Sequence, residues 1–258
     1  SIAWLSLGVF VVAVVVLLCV GAACALVYPI NPQDVSRFGV SDALASYRTV
    51  HIDRWSSETS DKAFYDGHWY SDKPPGMAIL ALPTYGVLRG VGAVDAASGP
   101  WTPTWALWVL RLLTGGLAYV ALLLLIARGA ERFVPGTGPL TAAAVGVGTF
   151  AFGLAATSFS HLAAGALAFL AFLLLHEAKR RTGRAGAMRT LGAGAAVGAA
   201  VVFDELTAIA VVVLLVYLAA TSRSVLRVVA YCVGGAPAAI GFAVYNKSAF
   251  GSPFHNPY

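Results

Sequence analysis

Apolar residues run along this chain in long blocks, most of them near the length of a bilayer-crossing helix, and polar residues gather in the connections between them. Seven blocks read as transmembrane spans: residues 2–27, 105–127, 140–157, 162–175, 187–203, 206–220 and 228–245. An eighth, residues 76–94, carries Pro83, Arg89 and four glycines and reads as a helix lying in the interface or dipping partway into the bilayer. The fold class predicted is an all-α integral membrane protein of about seven transmembrane helices, with a long first external loop, residues 29–75, that carries amphipathic juxtamembrane helices. Within that loop, residues 34–47 read as an amphipathic helix lying flat on the outer leaflet, with Phe38, Val40, Leu44 and Tyr47 as its apolar residues. Residues 1–258 read as a single transmembrane domain, expected to be the N-terminal part of a longer protein.

Composition agrees with the pattern. At 59% apolar and 11% charged residues, with a mean hydropathy of +0.77, the chain has too little polar surface to cover a soluble globule. The net charge of +5 does not point to nucleic acid, because the bases form short clusters without aromatic interleaving. Three connections hold them: Arg128 with Arg132; Lys179, Arg180, Arg181, Arg184 and Arg189; and Arg223 with Arg227. These should face the cytoplasm, which makes the protein a multi-pass plasma (inner) membrane protein with its first loop on the far side. Cys19, Cys24 and Cys232 lie inside apolar runs and read as packing residues, with neither disulfide nor metal-ligand spacing.

Candidate chemistry concentrates in the first loop. Seven of the twelve acids lie between residues 29 and 74: Asp34, Asp42, Asp53, Glu58, Asp61, Asp66 and Asp72. Asp34 opens a predicted helix, where the dipole favours a carboxylate; it reads either as a general base or as a helix cap. Lys73 precedes Pro74 and Pro75, which hold the backbone extended at headgroup depth, so its ammonium suits a lipid phosphate or simply snorkels to water. Arg111 lies inside its span beyond Trp105 and Trp108 and needs an anionic partner, a protein carboxylate or a lipid phosphate. Asp204 and Glu205 form a turn between two apolar helices, where a functional acid and a helix cap are both reasonable readings. His161 begins a span as a hydrogen-bonding residue. His51, His68, His176 and His255 show no metal-ligand spacing, so no metal site is expected. No phosphate-binding glycine loop and no nucleophile elbow occurs.

With Asp34, Arg37 and Phe38 opening the loop and Tyr70, Asp72, Lys73 and Pro74 closing it, the chain resembles the GT-C superfamily. The likeness is to bacterial membrane glycosyltransferases related to protein O-mannosyltransferases and aminoarabinose lipid A transferases. Asp61-Lys62-Ala63, Asp66-Gly67-His68-Trp69-Tyr70, Arg111, Tyr245-Asn246, Phe250-Gly251-Ser252-Pro253 and Tyr258 fit the same branch. The resemblance implies transfer of a sugar from a polyprenyl-phosphate donor to a lipid, glycan or protein acceptor. Asp34 would be the catalytic base and Lys73, Arg111 and Arg37 would hold the donor phosphate, with Tyr70, Asp72, His161 and Glu205 in support. Val35 stands where members often carry a second acid, so no divalent metal is indicated, and no cofactor is expected. Membrane lipids and further membrane subunits are the other expected partners. Two competing readings are a non-catalytic subunit or scaffold of a larger complex and, behind it, a secondary transporter; the single acidic loop fits the latter poorly.

Overall fold

The structure of the protein, a computed structural model, describes residues 30–94, 104–222 and 224–254. The expected first span, residues 2–27, lies outside the described residues, as do Cys19, Cys24, Arg223, His255 and Tyr258. Helices dominate, since backbone in hydrocarbon must satisfy its polar groups within one segment. In chain order they are α1 (Pro32–Tyr47), α2 (Gly76–Gly90), α3 (Thr104–Arg111), α4 (Leu117–Phe133), α5 (Gly138–Gly148), α6 (Ala151–Leu154), α7 (His161–Ala178), α8 (Gly183–Phe203), α9 (Ala208–Thr221) and α10 (Val225–Phe250). A π-helical turn, Leu112–Gly116, joins α3 to α4, and 3-10 turns occupy Asp53–Glu58 and Glu205–Thr207. The first loop departs from the all-α expectation with a small antiparallel hairpin, β1 (Ala63–Tyr65) and β2 (His68–Tyr70). Its tip, Asp66-Gly67, has both φ values positive, at 48° and 84°, as a two-residue type I′ turn requires.

Four helical segments are long and apolar enough to cross a membrane: Trp105–Phe133, His161–Ala178, Gly183–Phe203 and Val225–Phe250. The chain is a helical membrane protein. Residues 206–220 fall in a shorter apolar segment, Glu205–Thr221, whose 17 residues reach about 25 Å. The expected continuous span at residues 140–157 does not form: α5 stops at Gly148, and one turn of α6 leads into an irregular stretch before α7. The break is chemically supported by Thr149, whose hydroxyl donates to the Val145 carbonyl (2.7 Å) and accepts from the Ala151 N–H (3.2 Å).

The tightest interface joins α8 to α10. A Cβ built on Gly194 would lie 1.9 Å from the Tyr231 carbonyl oxygen, so the two backbones touch where glycine permits it. Large apolar side chains on α9 and α10, among them Ile209, Val216, Leu226 and Ile240, point outward as a lipid-facing surface. Cys232 is exposed, not packed as its apolar setting implied.

The expectation that residues 34–47 form a one-sided amphipathic helix is also overturned. Every residue from Asp34 to Ala43 is buried, while Tyr47 is exposed. Phe38 packs with Tyr85, Leu88 and Leu110 on one side of α1, and Val40 packs with Ile52 and Ala78 on another. Apolar contacts on two sides make α1 a core helix beneath the polar loop.

The bundle has two charged ends. At one, the basic end, Glu177 meets Arg128 (3.1 Å), Arg132 (2.9 Å) and Arg189 (3.4 Å). At the other, the polar-loop end, α1, the Lys73 turn, the start of α7 and the α8–α9 turn come together.

Candidate functional site

Asp34 is placed by local sequence. Asn31 caps α1 and Pro32 supplies a preset φ at its start, leaving Asp34 at the third helical position. The two residues form a capping box: the Asp34 N–H donates to Asn31 Oδ1 and the Asn31 N–H to Asp34 Oδ2, each at 3.1 Å. Asp34 Oδ2 also accepts from Arg111 Nη2, an ion pair with both side chains buried. Of the two partners open to Arg111, it takes the protein carboxylate. Asp34 Oδ1 is buried with no hydrogen-bond partner among the described residues.

Arg111 stands at the entry to the π turn, a feature that recurs at functional sites. In that turn a Cβ on Gly115 would fall 2.1 Å from the Thr157 carbonyl oxygen, so the stretch preceding α7 presses against it. One turn after Asp34, Arg37 donates from Nε and Nη2 to Gln33 Oε1 (3.2 and 2.9 Å) and from Nη2 to Ser160 Oγ (3.2 Å). Nearby in sequence, Ser158 buries a hydroxyl without a partner among the described residues.

Lys73 reaches the same end by another route. Ser36 Oγ and Ser71 Oγ share a buried 2.6 Å hydrogen bond, and the Lys73 N–H donates to Ser71 Oγ at 3.1 Å. Residues two apart on a helix face different ways, so α1 turns Asp34 toward Arg111 and Ser36 toward the Lys73 turn. Gly76, just after the two prolines, packs so closely on the end of α8 that a Cβ would lie 2.7 Å from the Val202 carbonyl oxygen. The Lys73 ammonium lies 3.0 Å from Asp72 and 3.8 Å from Asp61. Burial pushes the Asp72 carboxyl above its ordinary range, opposed by the Lys73 hydrogen bond and charge.

An apolar groove of about 540 Å³ runs between α8 and α10, with Gly194, Gly198, Val211 and Leu215 in its lining. Its lining includes Glu205, Phe242 and Asn246, which also line a small pocket with Ser71, Asp72, Lys73 and Tyr245. The Tyr245 hydroxyl is buried there without a hydrogen-bond partner among the described residues.

The other expected residues fall into different settings. His161 Nδ1 contacts Asp204 Oδ2 at 2.8 Å, and Asp204 Oδ1 accepts from the Leu206 N–H at 3.2 Å, so Asp204 is the capping member of the Asp204-Glu205 pair. Tyr70 is buried in a small cluster with Ala249 and Phe250, tying the hairpin to the end of α10. Asp42 was not singled out from sequence, yet it accepts from Trp55 Nε1 (2.7 Å), the Tyr85 hydroxyl (2.6 Å) and the Ser46 hydroxyl (2.8 Å). The signal was present: Asp42 follows Asp34 by eight residues, near two helical turns. No protein family, curated protein or solved structure matches the chain.

Proposed function

We propose that the protein is a membrane glycosyltransferase of GT-C type, moving a sugar from a polyprenyl-phosphate donor to an acceptor hydroxyl. The observation that supports this best is that α1 carries the Asp34–Arg111 pair on one side and the contact to the Lys73 turn on another, at one end of an apolar bundle. These groups come from three distant segments, linked by the Ser36–Ser71 hydrogen bond and the Asp34–Arg111 pair. In this reading the donor's isoprenoid chain lies in the α8–α10 groove and its phosphate sits by Lys73, at the groove's polar end. Asp34 takes the acceptor proton on Oδ1, the acceptor oxygen attacks the anomeric carbon, and the C–O bond to phosphate breaks with its electron pair going to phosphate. Lys73 offsets the charge that develops there. Arg111 positions Asp34, while Arg37 braces α1 against the start of α7.

We place the polar-loop end away from the cytoplasm in the plasma (inner) membrane, with seven crossings once residues 2–27 and the two shorter segments are counted. Residues 76–94 then form an interfacial helix, in keeping with Pro83 inside α2 and Arg89 in its last turn. A second reading, a non-catalytic subunit, is favoured by the complete burial of Asp34 in a capping box and an ion pair.

Purified protein in lipid nanodiscs, assayed with radiolabelled polyprenyl-phosphate sugars, tests the choice. Asp34→Asn should abolish transfer while the bundle stays helical and monodisperse. Lys73→Ala should weaken donor binding by about 1.5–3 kcal/mol, as expected for a lost charge-assisted hydrogen bond. Wild-type transfer by a folded Asp34→Asn protein would remove the base assignment; donor binding by neither protein would favour the subunit.

A further inference from the structure

We infer that His51, Asp53 and His68 form a binding site for a divalent first-row transition cation of the zinc class. Sequence spacing hid it, because His51 and Asp53 lie two residues apart while His68 comes from the hairpin 15 residues further on. Backbone contacts bring the two pieces together. His51 forms an isolated β-bridge with Tyr70, the Ile52 N–H donates to the Trp69 carbonyl (2.7 Å), and His68 opens β2. Asp53 begins the 3-10 turn immediately after this bridge.

The donor atoms converge. His68 Nδ1 lies 2.7 Å and His51 Nδ1 3.9 Å from the same oxygen, Asp53 Oδ2, and the three ligand atoms lie within 4.8 Å of one another. Ligands about 2.0–2.1 Å from a tetrahedral zinc ion are about 3.3 Å apart, so the spacing of the three donors is close to that around a bound ion. The other carboxylate oxygen, Asp53 Oδ1, accepts from the Trp69 N–H, which fixes the carboxylate and leaves Oδ2 facing the imidazoles. The two rings stack at 4.0 Å with 26° between their planes, so one imidazole turns out of the stack to bring both in-plane lone pairs onto a shared ion. A cation held by His68 Nδ1 takes the place of the hydrogen bond between that nitrogen and Asp53 Oδ2. Two imidazoles and one carboxylate leave a tetrahedral ion one open position, and this side of the loop is exposed to fill it with water. The ion would fasten the hairpin to the 3-10 turn, five residues ahead of Lys73 in the chain.

The test uses the full chain in detergent, stripped with a chelator, reloaded with Zn²⁺ and desalted, with zinc per chain measured by elemental analysis. One zinc per chain is expected. His51→Ala, His68→Ala and Asp53→Asn should each weaken Zn²⁺ binding at least tenfold, while His176→Ala at the basic end leaves it unchanged. Co²⁺ should give the intense visible bands of a tetrahedral site in the wild type and lose them in the His51→Ala/His68→Ala protein. Circular dichroism and gel filtration identical to wild type are required of each variant, and Asp53→Glu, which keeps a carboxylate, should retain binding if the loop is intact. Zinc retained unchanged by the double variant, or no zinc retained by the wild type, would overturn the site.

Discussion

The two ends of the bundle handle acid–base pairs in opposite ways. At the basic end one carboxylate, Glu177, serves three arginines, and the outermost of these, Arg128, has a side chain 65% exposed. At the polar-loop end one carboxylate, Asp34, serves one arginine, Arg111, with side-chain exposures of 0% and 7%. The three arginines of the first cluster are 30–65% exposed, so water weakens each pair, although the Glu177 side chain itself is only 15% exposed. The second is enclosed, so each charge depends on its partner. A chain can scatter charges of the first kind at helix ends to orient itself. Charges of the second kind must be positioned together by the fold, and that is why the functional proposal rests on them.

The sharpest way to break the comparison is to remove one partner at each end. Arg111→Ala should destabilise the protein by about 3–5 kcal/mol, since it leaves Asp34 buried and uncompensated. Chemical unfolding in detergent, followed by circular dichroism, measures this. The double variant Asp34→Leu/Arg111→Met should recover much of that loss while remaining inactive, separating the structural role of the pair from a chemical one. Equal instability of the single and double variants would mean that the site depends on the shapes of these side chains more than on their charges.

Tyr85→Phe tests whether burial raises the cost for neutral donors as well. It removes one of three donors to Asp42, leaving Trp55 and Ser46, and should cost about 1–2 kcal/mol in the same measurement. The smallest effect is expected at the basic end. Glu177→Gln should change stability by no more than about 1 kcal/mol, and the difference from wild type should shrink as salt is raised. A loss at Glu177 as large as that at Arg111 would erase the distinction between the two ends.

Much of the architecture was legible. The membrane class, four long spans and the position of Asp34 near a helix start all follow from composition, apolar run length and the Asn31-Pro32 approach to α1. The hairpin tip was legible in principle, as Asp66-Gly67 between short aromatic stretches is a known two-residue turn signal. The break after α5 was not. Run length alone read residues 140–157 as one span, and only the Thr149 hydroxyl bonds show where the helix ends. Nor was the burial of α1, because its apolar residues resemble those of an interfacial helix until Phe38 and Val40 are seen packing on two sides.

Sequence by itself determined what each segment needs: long apolar runs that satisfy their own backbone as helices, bases gathered in short connections, and an acid at the third position of α1. Tertiary structure alone decided partnership. That Arg111 meets Asp34, that Ser36 meets Ser71 across 35 residues, and that His51, Asp53 and His68 converge are consequences of helix packing and strand pairing. The physical reason is range. Helix propensity and hydrophobic transfer act over a few neighbouring residues and can be read along the chain, whereas a buried charge is stabilised only by the group that the whole fold brings within a few ångström of it.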